Sequence, residues 1–103
     1  MAHLALDKKA TDIVILDMRK LIDFCDYFVI CSGNTDRHAK AIADGIAEGL
    51  DEIGEKLRSR EGDRDARWII LDTVDVVVHV FEKLTRDFYG LEYLWQEATQ
   101  VKV

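Results

Sequence analysis

The sequence predicts an α/β domain of two layers, with a mixed sheet of about five strands packed by helices. Three observations carry this. Ala39, Ile42, Ala43, Ile46, Ala47, Leu50 and Ile53 recur at steps of three and one, the signature of one apolar helix face. Trp68–Leu71 and Val76–Phe81 are apolar runs joined only by Asp72-Thr-Val-Asp75, so they form an antiparallel hairpin. Ile13–Leu16 and Asp26–Cys31 are two more short apolar runs bounded by turn formers. At 103 residues the whole chain, 1–103, is expected to be a single domain with a core of its own.

Taken in order, Leu4–Ala10 reads as the end of a short helix. Ile13–Leu16 is a strand between Asp12 and Asp17, and Asp26–Cys31 is a second strand ended by Ser32-Gly-Asn34. Thr35 is placed to cap the long helix, with Asp36 favourable in its first turn and Gly54 as its stop. Gly45 and Gly49 inside that helix predict close packing on the sheet. Lys56–Arg60 is charged, as an edge strand should be. Val76–Phe81 is apolar on both faces, which suits a central strand. Thr85 is expected to cap a last helix with Leu84, Phe88, Leu91 and Trp95 on one face and Tyr89 and Tyr93 on another. One helix cannot bury all the aromatic residues between Phe88 and Trp95 against a single layer, so some should be exposed as a contact surface.

Composition narrows the function. Hydrophobic residues make up 49% and charged residues 33%, as in soluble globular domains. The net charge of -6 opposes primary binding to nucleic acid and favours a basic protein surface as partner. No run approaches the roughly 20 apolar residues of a membrane span. The N-terminus lacks the apolar stretch of a secretory signal and the arginine-rich character of a transit peptide. The cytoplasm is the expected compartment. Cys25 and Cys31 do not make a disulfide framework, and Cys31 reads as a small buried thiol.

Few residues suggest chemistry. His79 shares a strand face with Val77 and Phe81 and has no partner nearby in sequence, so it is expected to be structural or interfacial. His3 and His38 are too scattered for a metal site, and no histidine pair has zinc spacing. Asp72 and Asp75 are the best carboxylate pair, but at a tight turn they are expected to serve structure or an interface. Ser32-Gly-Asn-Thr-Asp-Arg37 leads into a helix N-terminus yet has neither a P-loop ending nor a dinucleotide fingerprint. No cofactor and no metal are therefore expected. Trp68, opening a strand after the charged Glu61–Arg67 segment, suits either the core or an interface anchor, and Arg86 is the natural charged anchor beside the aromatic helix.

These pieces together resemble the Iojap family, the bacterial ribosomal silencing factors. The matching residues are Lys8–Ile13, Asp26–Gly33 with Arg37 and His38, Glu61-Gly62, Trp68–Asp72, Asp75–Phe81, Arg86, Tyr89, Leu91-Glu92 and Leu94-Trp95. Their order and spacing run from about Lys8 to Trp95. The resemblance implies a nucleotidyltransferase-like fold without its catalytic machinery. It implies binding to the large ribosomal subunit through large-subunit ribosomal protein fourteen, which blocks joining of the small subunit and lowers translation when nutrients are scarce. It also implies a possible homodimer, and a partner-binding set of Trp68, Arg86, Tyr89, Leu91 and Glu92. The chain departs from the family pattern where a glycine usually precedes the Asp75 equivalent; here Val74 stands. Arg67 likewise replaces a usual small residue before the tryptophan. The alternative function is a residual nucleotide-binding or nucleotidyltransferase-like enzyme. Such enzymes resemble one another in a glycine-serine turn followed by paired carboxylates. Here Ser32-Gly33 has the reverse order and no Asp-x-Asp follows the helix.

Overall fold

The computed structural model describes residues 9–101. Its sheet has six strands: β1 (Thr11–Asp17), β2 (Tyr27–Gly33), β3 (Ser59–Glu61), β4 (Trp68–Asp72), β5 (Val76–Glu82) and β6 (Thr99–Val101). Three helices accompany them: α1 (Asp36–Glu52), α2 (Lys83–Tyr89) and α3 (Leu91–Leu94). The spatial order is β3-β4-β5-β2-β1-β6. β2 and β5 run parallel at the centre and every other pairing is antiparallel. The mixed sheet is as expected, with one strand more than predicted. β6 escapes a pattern search because Thr99-Gln-Val101 is short and half polar, and only its pairing with Ile15–Asp17 makes it a strand.

Strand alternation sorts the core into two clusters. On one face Val29, Cys31, Ile69, Leu71, Val78 and Val80 meet Ala39, Ile42, Ala43, Ile46 and Leu50 of α1. On the other, Phe28, Ile30, Val77 and Phe81 meet Met18 and Cys25 of the β1–β2 connection, with Leu91 and Trp95 packed against them. Each large aliphatic residue so buried contributes roughly 1.5–3 kcal/mol. Both cysteines are buried free thiols, and burial pushes Cys31 up to about 12.

α1 is bounded as its sequence predicts. Thr35 Oγ1 accepts from the His38 amide at 3.0 Å, and past Ile53 the chain closes with Gly54 N–H to Asp51 and Glu55 N–H to Leu50, a Schellman end. Ile53, expected on the apolar face, is the C-cap and stands 71% exposed. The charged edge strand exists but lies at Ser59–Glu61, one turn later than Lys56–Arg60. Apart from Lys9 and Ala10, which are not helical, the helix expected over Leu4–Ala10 lies outside the described residues.

The last helix differs most from expectation. Thr85 does not cap it; Glu82 does, accepting from the Leu84 amide at 2.9 Å and the Thr85 amide at 3.2 Å. Those amides hold the Glu82 carboxyl below its usual range. The helix then breaks at Gly90, whose φ of 58° and ψ of 39° are left-handed, and restarts as α3. The break turns one predicted face into two: Leu91 and Trp95 point into the second cluster, while Leu84 and Phe88 face solvent.

Candidate functional site

The most distinctive surface lies where β4 begins, β5 ends and α2 leaves the sheet. Trp68 and Phe81 are directly opposed across β4 and β5. Their rings stack at 5.0 Å and 26°. His79 is the diagonal neighbour of Trp68 on the same face, within reach of a long side chain. The Trp68 indole N–H donates to His79 Nδ1 at 3.1 Å. The ring partner that His79 lacks locally in sequence thus comes from the next strand. Burial pushes His79 down to about 4, so the ring is neutral and its proton sits on Nε2. Nε2 is buried and has no hydrogen-bond partner among the described residues.

Tyr89, at the end of α2, lies 4.8 Å from Trp68 and is exposed, and Phe88 meets Tyr89 edge-on at 5.3 Å. Trp68 is half-buried, while Phe88, Tyr89, Tyr93 and Leu94 are exposed, Phe88 at 82%. Of these, Phe88 and Tyr89 line one cleft with half-buried Trp68 and exposed Leu84, an exposed apolar patch of the kind that suits a protein contact. The cleft is open, about 1080 Å³, and is also lined by Thr35 at the start of α1 and by Arg64 and Arg67 of the β3–β4 connection. Gly62 closes one end of that connection at φ 96°, where any Cβ would collide with the Trp68 carbonyl oxygen.

Arg86, expected as the charged anchor beside the aromatic helix, lies mostly below the surface. It is 7% exposed, and its guanidinium is spent inside the molecule. Nη1 donates to Ser32 Oγ at 2.8 Å and to the Asp12 carbonyl at 2.6 Å; Nε donates to Glu92 Oε1 at 2.6 Å. A β1 bulge between Thr11 and Val14, with Asp12 at φ 51°, presents that carbonyl. Arg86 thereby ties α2, α3, β1 and β2 together. Of the residues singled out in sequence, Trp68 and Tyr89 come together at the surface, buried Arg86 pairs with part-exposed Glu92, and Leu91 packs inward. Asp72 and Asp75 lie apart from all of these, at the far end of β4 and β5. Asp72 accepts from the Val74 amide and from Arg58, which outweigh burial and lower its carboxyl; the Asp75 carbonyl accepts from the Asp26 and Tyr27 amides. Sequence reasoning missed Ser32, the Asp12 carbonyl and Glu82. The first two join Arg86 over separations of 54 and 74 residues, with no local signal. Among the described residues no three His, Cys, Asp or Glu side chains are grouped as a metal site requires, and no helix is long and apolar enough to cross a membrane.

A six-stranded mixed sheet with one described helix on its first face and an exposed aromatic patch beside its second defines a small α/β domain. The model of the family "Ribosomal silencing factor during starvation" matches residues 1–103. The ribosomal silencing factor RsfS of Bacillus subtilis is 48% identical over 92 residues, covering 89% of this chain and 78% of that protein. The chloroplastic Iojap protein of Zea mays is 35% identical over 106 residues, covering all of this chain and 45% of its own length. Among solved structures, a crystal structure of a Chromobacterium violaceum protein superposes with a TM-score of 0.90 at 34% identity, covering 92% of this chain and 79% of that one. A Bacillus halodurans crystal structure gives 0.88 at 38% identity, covering 99% and 92%. The chain belongs to the ribosomal silencing factor family.

Proposed function

We propose that this protein binds the large ribosomal subunit at large-subunit ribosomal protein fourteen, through the patch centred on Trp68 and Tyr89. It thereby keeps the small subunit from joining and represses translation under nutrient limitation. It works in the cytoplasm as a binding protein rather than an enzyme, without metal or nucleotide. One observation carries the site: Trp68, anchored on buried Phe81, meets exposed Tyr89 at 4.8 Å amid other exposed aromatic and aliphatic side chains. Tryptophan and tyrosine in such a setting are the usual hot spots of a protein interface. The Arg86–Glu92 pair fixes α2, which carries Tyr89, against α3, and the net charge of -6 favours approach to a basic ribosomal protein.

The test is sedimentation of purified large subunits with this protein, with and without small subunits. The wild-type chain should travel with the large subunit and deplete joined ribosomes. Trp68→Ala and Tyr89→Ala should each weaken binding by roughly 30-fold or more, since about 1.4 kcal/mol is a factor of ten and hot spots exceed 2 kcal/mol. Circular dichroism identifies loss through unfolding. Folded mutants that still block joining at wild-type concentration place the patch elsewhere.

A further inference from the structure

His79 is a costly residue for the place it occupies. Its ring neighbours are Phe28 at 4.6 Å, Trp68 at 5.9 Å and Phe81 at 6.4 Å, so the imidazole sits in an aromatic surround. Filling that volume needs only a phenylalanine or leucine. An imidazole there leaves its Nε2–H buried and unpaired, a deficit of roughly 1–3 kcal/mol. In return its Nδ1 accepts a hydrogen bond from the indole N–H of Trp68.

That bond controls something stacking cannot. Trp68 meets the rings of both Phe81 at 5.0 Å and Tyr89 at 4.8 Å. Ring contacts of this kind fix the plane of an indole but are nearly indifferent to its turning over, because both faces are apolar. A donor on one edge is not indifferent. With Nε1 held on His79, one edge of the indole is turned to the core and the opposite edge outward. We propose that His79 is a positioning residue, which selects the indole orientation that Trp68 presents to its protein partner. This rests on the docking role of Trp68 proposed above. His79 touches no partner; it acts through Trp68, sparing the complex the cost of ordering a large side chain on binding.

The experiment uses the full chain with His79→Phe, His79→Leu and His79→Gln. The indole N–H of Trp68 is followed by NMR, assigned with Trp68→Phe, and affinity for purified large subunits is measured alongside. In the wild type the Trp68 indole proton should resonate downfield and exchange slowly. His79→Phe should move it upfield, speed its exchange and weaken binding by roughly 3- to 10-fold. His79→Leu repeats the test in a side chain of smaller volume, should the phenylalanine not fit. His79→Gln, which restores an acceptor, should recover part of both signals. In a Trp68→Phe background, His79→Phe should change affinity no further. The proposal is overturned if folded His79→Phe and His79→Leu bind like wild type while Trp68→Ala does not, or if His79→Phe weakens binding equally without Trp68. If Trp68→Ala itself binds normally, the docking role of Trp68 is what fails.

Discussion

The two faces of the sheet are built to different rules. The face under α1 is aliphatic: Ile42, Ile46 and Leu50 meet Ile69, Leu71, Val78 and Val80, and no polar side chain is buried among these described residues. The opposite face holds Ser32, His79 and Arg86, the buried polar side chains of the described residues, together with Phe28, Phe81 and half-buried Trp68. The first face needs only volume and apolarity. The second must hold particular side chains in particular orientations, and it uses hydrogen bonds to do so. The contact patch grows from the second face. In this fold, specificity is concentrated where the core is least oily.

The largest effects should come from damaging each face in its own way. Ile46→Ala should cost about 2–5 kcal/mol by leaving a cavity. Arg86→Ala should cost about 1–3 kcal/mol, chiefly by leaving the buried Ser32 hydroxyl unpaired, since the part-exposed Glu92 carboxylate and Asp12 carbonyl can turn to water. Urea denaturation measures both. The rescues should separate them: Ile46→Val recovers most of the loss, whereas Arg86→Lys does not, because an ammonium cannot reproduce the guanidinium fork. If Arg86→Ala keeps full stability but loses large-subunit binding, the comparison breaks, and Arg86 faces the partner after all.

The same contrast explains what was legible in the sequence. The aliphatic face announces itself: the spacing of Ala39 to Leu50 and the alternation through Val76–Phe81 require only local periodicity. The hairpin at Asp72–Asp75 and the cap at Thr35 are local as well. The second face is made of long-range pairings. Nothing near Arg86 reveals that it reaches Asp12 and Ser32, and nothing near His79 reveals Trp68. The break at Gly90 had a visible signal in the glycine itself, but the surrounding aromatic periodicity outweighed it. Trp68 and Tyr89 are legible as interface residue types, placed at a sheet end and on the last helix where they could form one patch; the direct 4.8 Å ring contact is not.

A second, somewhat smaller effect sharpens the comparison through pH. His79 has its ordinary value near 6.5 in the unfolded chain and about 4 in the fold, because burial disfavours the charged ring. Between these values the unfolded chain takes up a proton that the folded chain refuses. Stability is therefore full above pH 6.5 and declines as pH falls toward 4, by about 3 kcal/mol at 1.36 kcal/mol per unit. Below that range the loss from His79 levels off. The carboxyls of Asp17, Asp63, Asp72 and Glu82, which the fold holds below their ordinary values, then add their own losses. Urea midpoints at several values between pH 7 and 5 should fall for the wild type and fall much less for His79→Phe. Equal slopes for the two proteins would show that the imidazole is not the group excluded from protonation.

The smallest effect belongs to neither face. Val74 sits in the turn between β4 and β5 at φ 82°, where a β-branched side chain crowds its own backbone. Strain of this kind costs roughly 1–3 kcal/mol. The turn is held regardless, by Asp72 Oδ1 accepting from the Val74 amide at 2.8 Å and by the Thr73 hydroxyl donating to the Val76 carbonyl at 2.9 Å. Neither bond needs the valine side chain, which is 49% exposed and adds little packing. Val74→Gly should relieve the strain and give back roughly 0.5–1 kcal/mol in unfolded-chain entropy, for a net gain of about 1 kcal/mol. In a domain of this size that raises Tm by roughly 4–8 °C. Large-subunit binding should not change, because the turn lies at the opposite end of β4 and β5 from Trp68 and Phe81. A Tm that falls would show that the valine's contacts outweigh its strain. A change in affinity at unchanged stability would extend the contact surface to the far end of the sheet.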